Sequence, residues 1–196
     1  MRNDLAALVG SRICHDLISP IGAIGNGVEL LSLTDGDTSA EMNLITESVE
    51  NASARIKFFR IAYGAASETQ MVGRTEILSI LAASARGGRF TYYWRAEGDQ
   101  PRRDVRIAFL VMQCLESAMP LGGDIEVVTD DGAWSVSGTG KRFNVDESLW
   151  ATLTDPEAEH ETTAAQVQFA LLPPFLSDSG RGLSLEISDD RIDLRF

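Results

Sequence analysis

Two histidines occur in the chain, His15 and His160, and their surroundings differ. His160 sits in Asp155-Pro156-Glu157-Ala158-Glu159-His160-Glu161, a polar run that reads as solvated surface. His15 stands in Ser11-Arg12-Ile13-Cys14-His15-Asp16-Leu17-Ile18-Ser19-Pro20, inside an apolar helical pattern. An imidazole titrates near pH 6.5, about the ordinary value, so at cellular pH it is a ready nucleophile. A carboxylate that accepts the proton of one ring nitrogen fixes the tautomer and frees the other nitrogen's lone pair to attack. Asp16 is the candidate for that role. Adjacency in sequence does not by itself make the bond, and the competing account leaves both as solvated side chains with no part in chemistry. The helical neighbours of His15 are Ser11, Arg12, Ile18 and Ser19, with Gly22 one turn further. Ser11, Ser19 and Gly22 are small, so a partner backbone can come close on this flank. A cysteine hydrolase built on Cys14 and His15 is not expected, because adjacent helical residues point about 100° apart.

The elements that carry His15 follow from apolar spacing. Gly10, Cys14, Leu17, Ile21, Ile24, Val28 and Leu31 recur at steps of four and three. Met42, Ile45, Val49, Ala52, Ile56, Phe59 and Tyr63 do the same. Both are heptad seams, which keep one apolar stripe on a partner helix. Thr34-Asp35-Gly36-Asp37-Thr38-Ser39 between them is a turn cluster, with Ser39 as the expected helix start. Residues 2–33 and 39–64 are therefore expected to form two antiparallel helices, with a kink but no break at Pro20. Two helices cannot hide this much apolar surface. A second hairpin in a symmetric homodimer would close a four-helix bundle. The other reading packs the hairpin on the rest of its own chain.

The second helix has three basic residues, Arg55, Lys57 and Arg60. With the turn centred near Gly36, position 57 lies opposite position 15. Three cations there could hold phosphoryl charge. Ordinary pairing with Glu47 and Glu50 accounts for them equally well.

The chain has 196 residues, 44% hydrophobic and 23% charged, which excludes a wholly disordered or fibrous protein. Acidic residues outnumber basic ones 29 to 17, for a net charge of −12. That argues against nucleic acid and against an anionic membrane surface as partner. Cys14 and Cys114 make neither a zinc spacing nor a disulfide framework, which fits a reducing compartment. No apolar run reaches the length of a membrane span, and no signal peptide is evident. A cytoplasmic location is expected.

Beyond Gly64-Ala65-Ala66-Ser67 the pattern changes to mixed elements. Helices are expected over 76–85, 104–119 and 162–171, the last ended by Pro173-Pro174. Strands are expected over 89–96, 125–129, 133–137, 183–187 and 191–196, with hairpins across Asp130-Asp131-Gly132 and Asp189-Asp190. The fold class is α+β: a helical hairpin over residues 1–66, then a two-layer α/β sandwich over 67–196.

Ser11 to Leu31, running Ser-Arg-Ile-Cys-His-Asp-Leu-Ile-Ser-Pro-Ile-Gly-Ala-Ile-Gly-Asn-Gly-Val-Glu-Leu-Leu, closely resembles the phosphorylated helix of the ChpT-type histidine phosphotransferases. It is also similar to the histidine box of sensor kinases. The likeness covers nearly the whole chain and is weakest between Gly140 and Ala165. It implies a homodimer with a central four-helix bundle, flanked by domains that resemble a sensor-kinase ATP-binding domain without ATP. It implies relay of phosphate from the receiver aspartate of a hybrid kinase, through His15, to the aspartate of a response regulator. Asp16 and Ser19 would assist the transfer. Arg12, Ile18, Gly22 and Asn26 would line the docking flank, with Lys57 and Arg60 as further phosphate or partner contacts.

Three departures from the kinase pattern argue against ATP. Gln113 and Ser117 stand where the kinase helix has asparagines, and the second of those would hold magnesium. Ser137-Gly138-Thr139-Gly140 looks like the remnant of the kinase glycine box. Val136 stands where the adenine-reading aspartate belongs, and an aliphatic side chain cannot accept the adenine amino proton. No cofactor of the chain's own is expected, and the magnesium is expected from the partner receiver. The competing function is a non-catalytic dimeric adaptor that docks and sequesters receivers.

Overall fold

The computed structural model describes residues 5–33 and 38–196. Helix α1 (Leu5–Leu33) and helix α2 (Ser39–Ala62) form the expected hairpin, packed along their length. The turn expected at Thr34–Asp37 lies outside the described residues. Helix α1 continues through Pro20, which is buried. Thr38, not Ser39, occupies the position before the first turn of α2, and its side chain makes no capping bond. Close approach of the two helices depends on Gly27. A Cβ added there would lie 2.6 Å from Ile45 Cγ1.

The two seams divide. Leu17, Ile24 and Leu31 of α1 turn inward, as do Ile45, Ala52 and Phe59 of α2. The alternate members, also seven residues apart, remain open: Ile21, Val28, Met42, Val49 and Ile56 are each 45–58% exposed, and Cys14 is exposed. One apolar stripe thus closes the hairpin and a second faces solvent. The lower end of the hairpin also enters the core of its own chain. Phe58, Phe59, Ile61 and Ala62 belong to the same buried cluster as the rest of the protein. The reading that packs the hairpin on its own chain is met at this end, and the open stripe is not covered by the described residues of the chain.

The remainder is a sheet covered on one face by helices. Strands β1 (Met71–Val72) and β3 (Gln100–Pro101) form a small antiparallel pair. Helix α3 (Arg74–Ala85) leads to strand β2 (Phe90–Trp94), and helix α4 (Arg102–Ala118) to strands β4 (Gly123–Asp130) and β5 (Ala133–Thr139). Helix α5 (Glu147–Ala151) and helix α6 (Val167–Asp178) follow, then strands β6 (Ser184–Ile187) and β7 (Arg191–Arg195). The five-stranded order is β2-β4-β5-β7-β6, with β2 parallel to β4 and the other pairs antiparallel.

Helix α4 is the centre of the molecule. Val105, Ile107, Ala108, Phe109, Leu110, Val111, Met112, Cys114 and Leu115 are fully buried. It packs against β5, α6 and the end of α2. Arg102, at its start, donates to the carbonyls of Ala65 and Arg60, where the last turn of α2 leaves acceptors without partners. This holds the hairpin to the sandwich. Gly122 turns the chain after α4 with φ +80°, and a Cβ there would fall 1.9 Å from the Arg89 carbonyl oxygen.

Two expectations fail. Helix α6 does not end at Pro173-Pro174 but runs through both to Asp178. Burial of Phe169, Leu172 and Leu176 holds it on α4 despite the missing amide donors. The stretch after Gly140, for which no element is expected, contains α5. Asp146 caps that helix by accepting from the amides of Ser148 and Leu149. Trp150 packs edge-on against Phe169, at 5.4 Å between ring centroids. His160 lies nearby, its Nδ1 3.1 Å from the Ser148 hydroxyl.

Candidate functional site

His15 projects from the middle of α1 with 87% of its side chain exposed. Its Nδ1 lies 3.1 Å from Asp16 Oδ1. Adjacency therefore does yield contact here: the carboxylate folds back along the helix to meet the ring. Asp16 itself is only 13% exposed. Its Oδ2 accepts from Arg12 Nε at 2.7 Å, one turn earlier on the same helix. Arg12 Nη1 in turn donates to the Ala165 carbonyl at 2.8 Å, at the entry to α6. With a proton on Nδ1 shared with Asp16, Nε2 is left with its lone pair. An exposed imidazole in that tautomer is a nucleophile with open approach.

The other expected residues separate in space. Ile18 is 70% exposed, and Ser19 and Asn26 are exposed on the same helix. A side chain at Gly22 would meet nothing within 4 Å. Arg55 is the cation of α2 that comes toward the site, with Nη1 3.9 Å from Asp16 Oδ2 and Nε on Asn51. Lys57 is exposed. Arg60 pairs with Glu76 of α3, and Glu50 pairs with Arg86 beyond it. The three cations of α2 thus do not gather around the ring.

Sequence reasoning missed the cleft behind His15. A cavity of about 550 Å³ opens between hairpin and sandwich, bordered by Arg12, Asp16, Arg55, Arg89, Tyr92 and Glu116 among others. The Tyr92 hydroxyl donates to Glu116 Oε1 at 2.8 Å. Burial raises the Glu116 carboxyl above its ordinary value of 4.5. Burial and the neighbouring Glu116 charge likewise hold the Tyr92 phenol far above its ordinary range. The available signal was a glutamate next to the apolar residues Cys114 and Leu115 of α4.

The positions that resemble a kinase nucleotide site are occupied by packing. Gln113 is buried and its Oε1 accepts from the Tyr63 hydroxyl at 3.0 Å. Burial pushes that phenol up to about 12. Ser117 Oγ is bonded to the Cys114 carbonyl. Val136 is fully buried in β5 beside Val127 and Leu194. A Cβ at Gly138 would stand 3.1 Å from both Leu115 and Met119, so this glycine lets α4 lie close on the sheet. Among the described residues, no three His, Cys, Asp or Glu side chains group to hold a metal ion. Nor is any described helix long and apolar enough to cross a membrane.

The family model for the histidine phosphotransferase C-terminal domain matches residues 74–191, more than half of the chain. The chain belongs to the histidine phosphotransferase family. It is 39% identical over 128 residues to the protein phosphotransferase ChpT of Brucella abortus (strain 2308), an alignment covering 63% of this chain and 60% of that protein. The chain thus spans about three fifths of that curated relative's length. A solved bacterial phosphotransferase structure superposes with a TM-score of 0.80 at 29% identity, over 100% of this chain and 96% of that one. That superposition includes the hairpin that carries His15.

Proposed function

We propose that this chain is a phosphorelay protein that moves a phosphoryl group between receiver aspartates through His15. The observation that carries the reading is the exposed imidazole held by Nδ1 on a partly buried carboxylate, in a chain of this family. His15 Nε2 attacks the phosphorus of a partner's aspartyl phosphate in line. The N–P bond forms as the P–O bond breaks, and the aspartate leaves as a carboxylate. The Nδ1 proton stays on the ring, shared with Asp16, which balances the charge of the phosphorylated imidazole. In the second half-reaction an aspartate of another receiver attacks phosphorus and the N–P bond breaks. Transition-state charge spreads over the phosphoryl oxygens, so positioning and cations do most of the work. Magnesium belongs to the receiver in this reading, and no nucleotide takes part.

Ser19 assists at the edge of the phosphoryl site. Ile18, Gly22 and Asn26 form the receiver-docking flank, with Lys57 at its border. The open stripe of Cys14, Ile21, Val28, Met42, Val49 and Ile56 is covered by a second copy, which completes a four-helix bundle. Its seven-residue spacing repeats that of the stripe already closed within the hairpin, and this supports like packing on like. The protein works in the cytoplasm between a hybrid kinase and response regulators. A sequestering adaptor is less well supported, since it has no need of an oriented nucleophile.

The test mixes purified chain with a phosphorylated receiver and follows the phosphate, using wild type and His15→Gln. Wild type takes the label and His15→Gln does not, while light scattering gives both the mass of two chains. Equal receiver inhibition by both proteins, with no label on either, establishes the adaptor instead. A one-chain mass removes the dimer from the proposal.

A further inference from the structure

Arg12 carries an inference that rests on the relay reading. Its place on the flank of His15 suits a contact to phosphate or to a partner. The geometry points to another role: we infer that Arg12 is a positioning residue, which sets the tautomer of His15 through Asp16 and ties that setting to the C-terminal domain.

The side chain is 20% exposed, and both ends of its guanidinium are engaged within the chain. Nε donates to Asp16 Oδ2 at 2.7 Å and Nη1 donates to the Ala165 carbonyl at 2.8 Å. Asp16 has two oxygens and two hydrogen-bond partners. With Oδ2 taken by Arg12, Oδ1 is the one turned to His15 Nδ1. A carboxylate with one oxygen clamped has lost the rotation that would let it leave the ring. Arg55, at 3.9 Å, adds charge near Oδ2 but no hydrogen bond. The planar fork of arginine spans two acceptors at once, and a lysine ammonium, a compact point charge, does not match that geometry.

The chain of contacts His15–Asp16–Arg12–Ala165 therefore crosses from the reactive helix to the three-residue turn Ala164–Gln166 that opens α6. The residues it joins are 150 apart in sequence. The C-terminal domain thus reaches the nucleophile through one side chain, not only through packing.

The experiment compares wild type, Arg12→Met and Arg12→Lys. Methionine keeps the apolar stem without donors. The first readout is the ¹⁵N resonances of the His15 imidazole, recorded on the unphosphorylated protein. Wild type is expected to carry its neutral-state proton on Nδ1, and Arg12→Met to shift toward the Nε2-protonated form that free imidazole side chains prefer. Arg12→Lys falls between. The second readout is transfer from a phosphorylated receiver. In Arg12→Met, kcat falls about tenfold or more, the size common when the orienting partner of an imidazole is lost, and KM for the receiver is unchanged. An unchanged tautomer in both variants overturns the inference. So does a raised KM with kcat intact, which makes Arg12 a partner contact. A wild-type chain that accepts no phosphate overturns the relay reading, and the resonances still decide the role of Arg12 by themselves.

Discussion

Phe58 of α2 and Phe109 of α4 lie nearly face to face, 4.6 Å between ring centroids with 27° between their planes. Trp94 meets the same Phe109 edge-on at 6.3 Å. Hairpin, central helix and sheet therefore converge on one ring that solvent does not reach. Replacing Phe109 by alanine removes the shared surface of all three and leaves a cavity. The expected loss is about 3–5 kcal/mol of unfolding free energy, read from urea melts. A change below roughly 1 kcal/mol, within the range of surface substitutions, would show that hairpin and sandwich are held by something else.

Glu116 gives a pH dependence whose sign can be worked out. Its carboxyl is raised above 4.5 in the folded chain, chiefly by burial. The folded state thus binds this proton more tightly than the unfolded state. The group's contribution is fully present below its unfolded value and is lost as pH rises through the folded one. Glu116→Gln keeps an acceptor for Tyr92 and cannot ionise. Thermal melts between pH 4 and 7 should show the variant matching wild type at the acid end and exceeding it at the neutral end. Parallel curves would contradict the burial argument.

Two glycines on α1, five residues apart, separate docking from packing. A side chain at Gly22 meets open space, whereas one at Gly27 runs into Ile45. Gly22→Leu should leave the melting temperature unchanged or raise it, since glycine inside a helix costs about 0.5–1 kcal/mol. Receiver phosphotransfer should nevertheless fall through a raised KM. Gly27→Leu should cost about 1–3 kcal/mol of stability, as overpacking does. Transfer at wild-type KM in Gly22→Leu would move the docking face elsewhere.

Much of this architecture was legible because it is local. Heptad spacing marks both helices of the hairpin, and Pro120-Leu121-Gly122-Gly123 marks the end of α4. Spacing alone could not say which half of each seam closes the hairpin, since Leu17 and Ile21 are equally apolar. Pro173 and Pro174 misled because packing on α4 outweighs two missing donors. The strands β1 and β3, two residues each, carry no period to detect. At the site, His15 and Asp16 were visible as neighbours. The bond from Arg12 to Ala165 spans 153 positions and leaves no trace in local pattern. Arg55 was one of three equal cations until the hairpin's register brought it, and not Arg60, toward Asp16.

The central claim is that His15 nitrogen carries phosphorus. Incubation with a phosphorylated receiver, followed by ³¹P spectroscopy and site mapping of the isolated chain, tests it most directly. A phosphoramidate is stable in alkali and labile in acid, whereas an acyl phosphate is labile in both. The account predicts one alkali-stable, acid-labile adduct, located on His15 and absent from His15→Gln. An adduct on any other residue, or an acid-stable one, would contradict it.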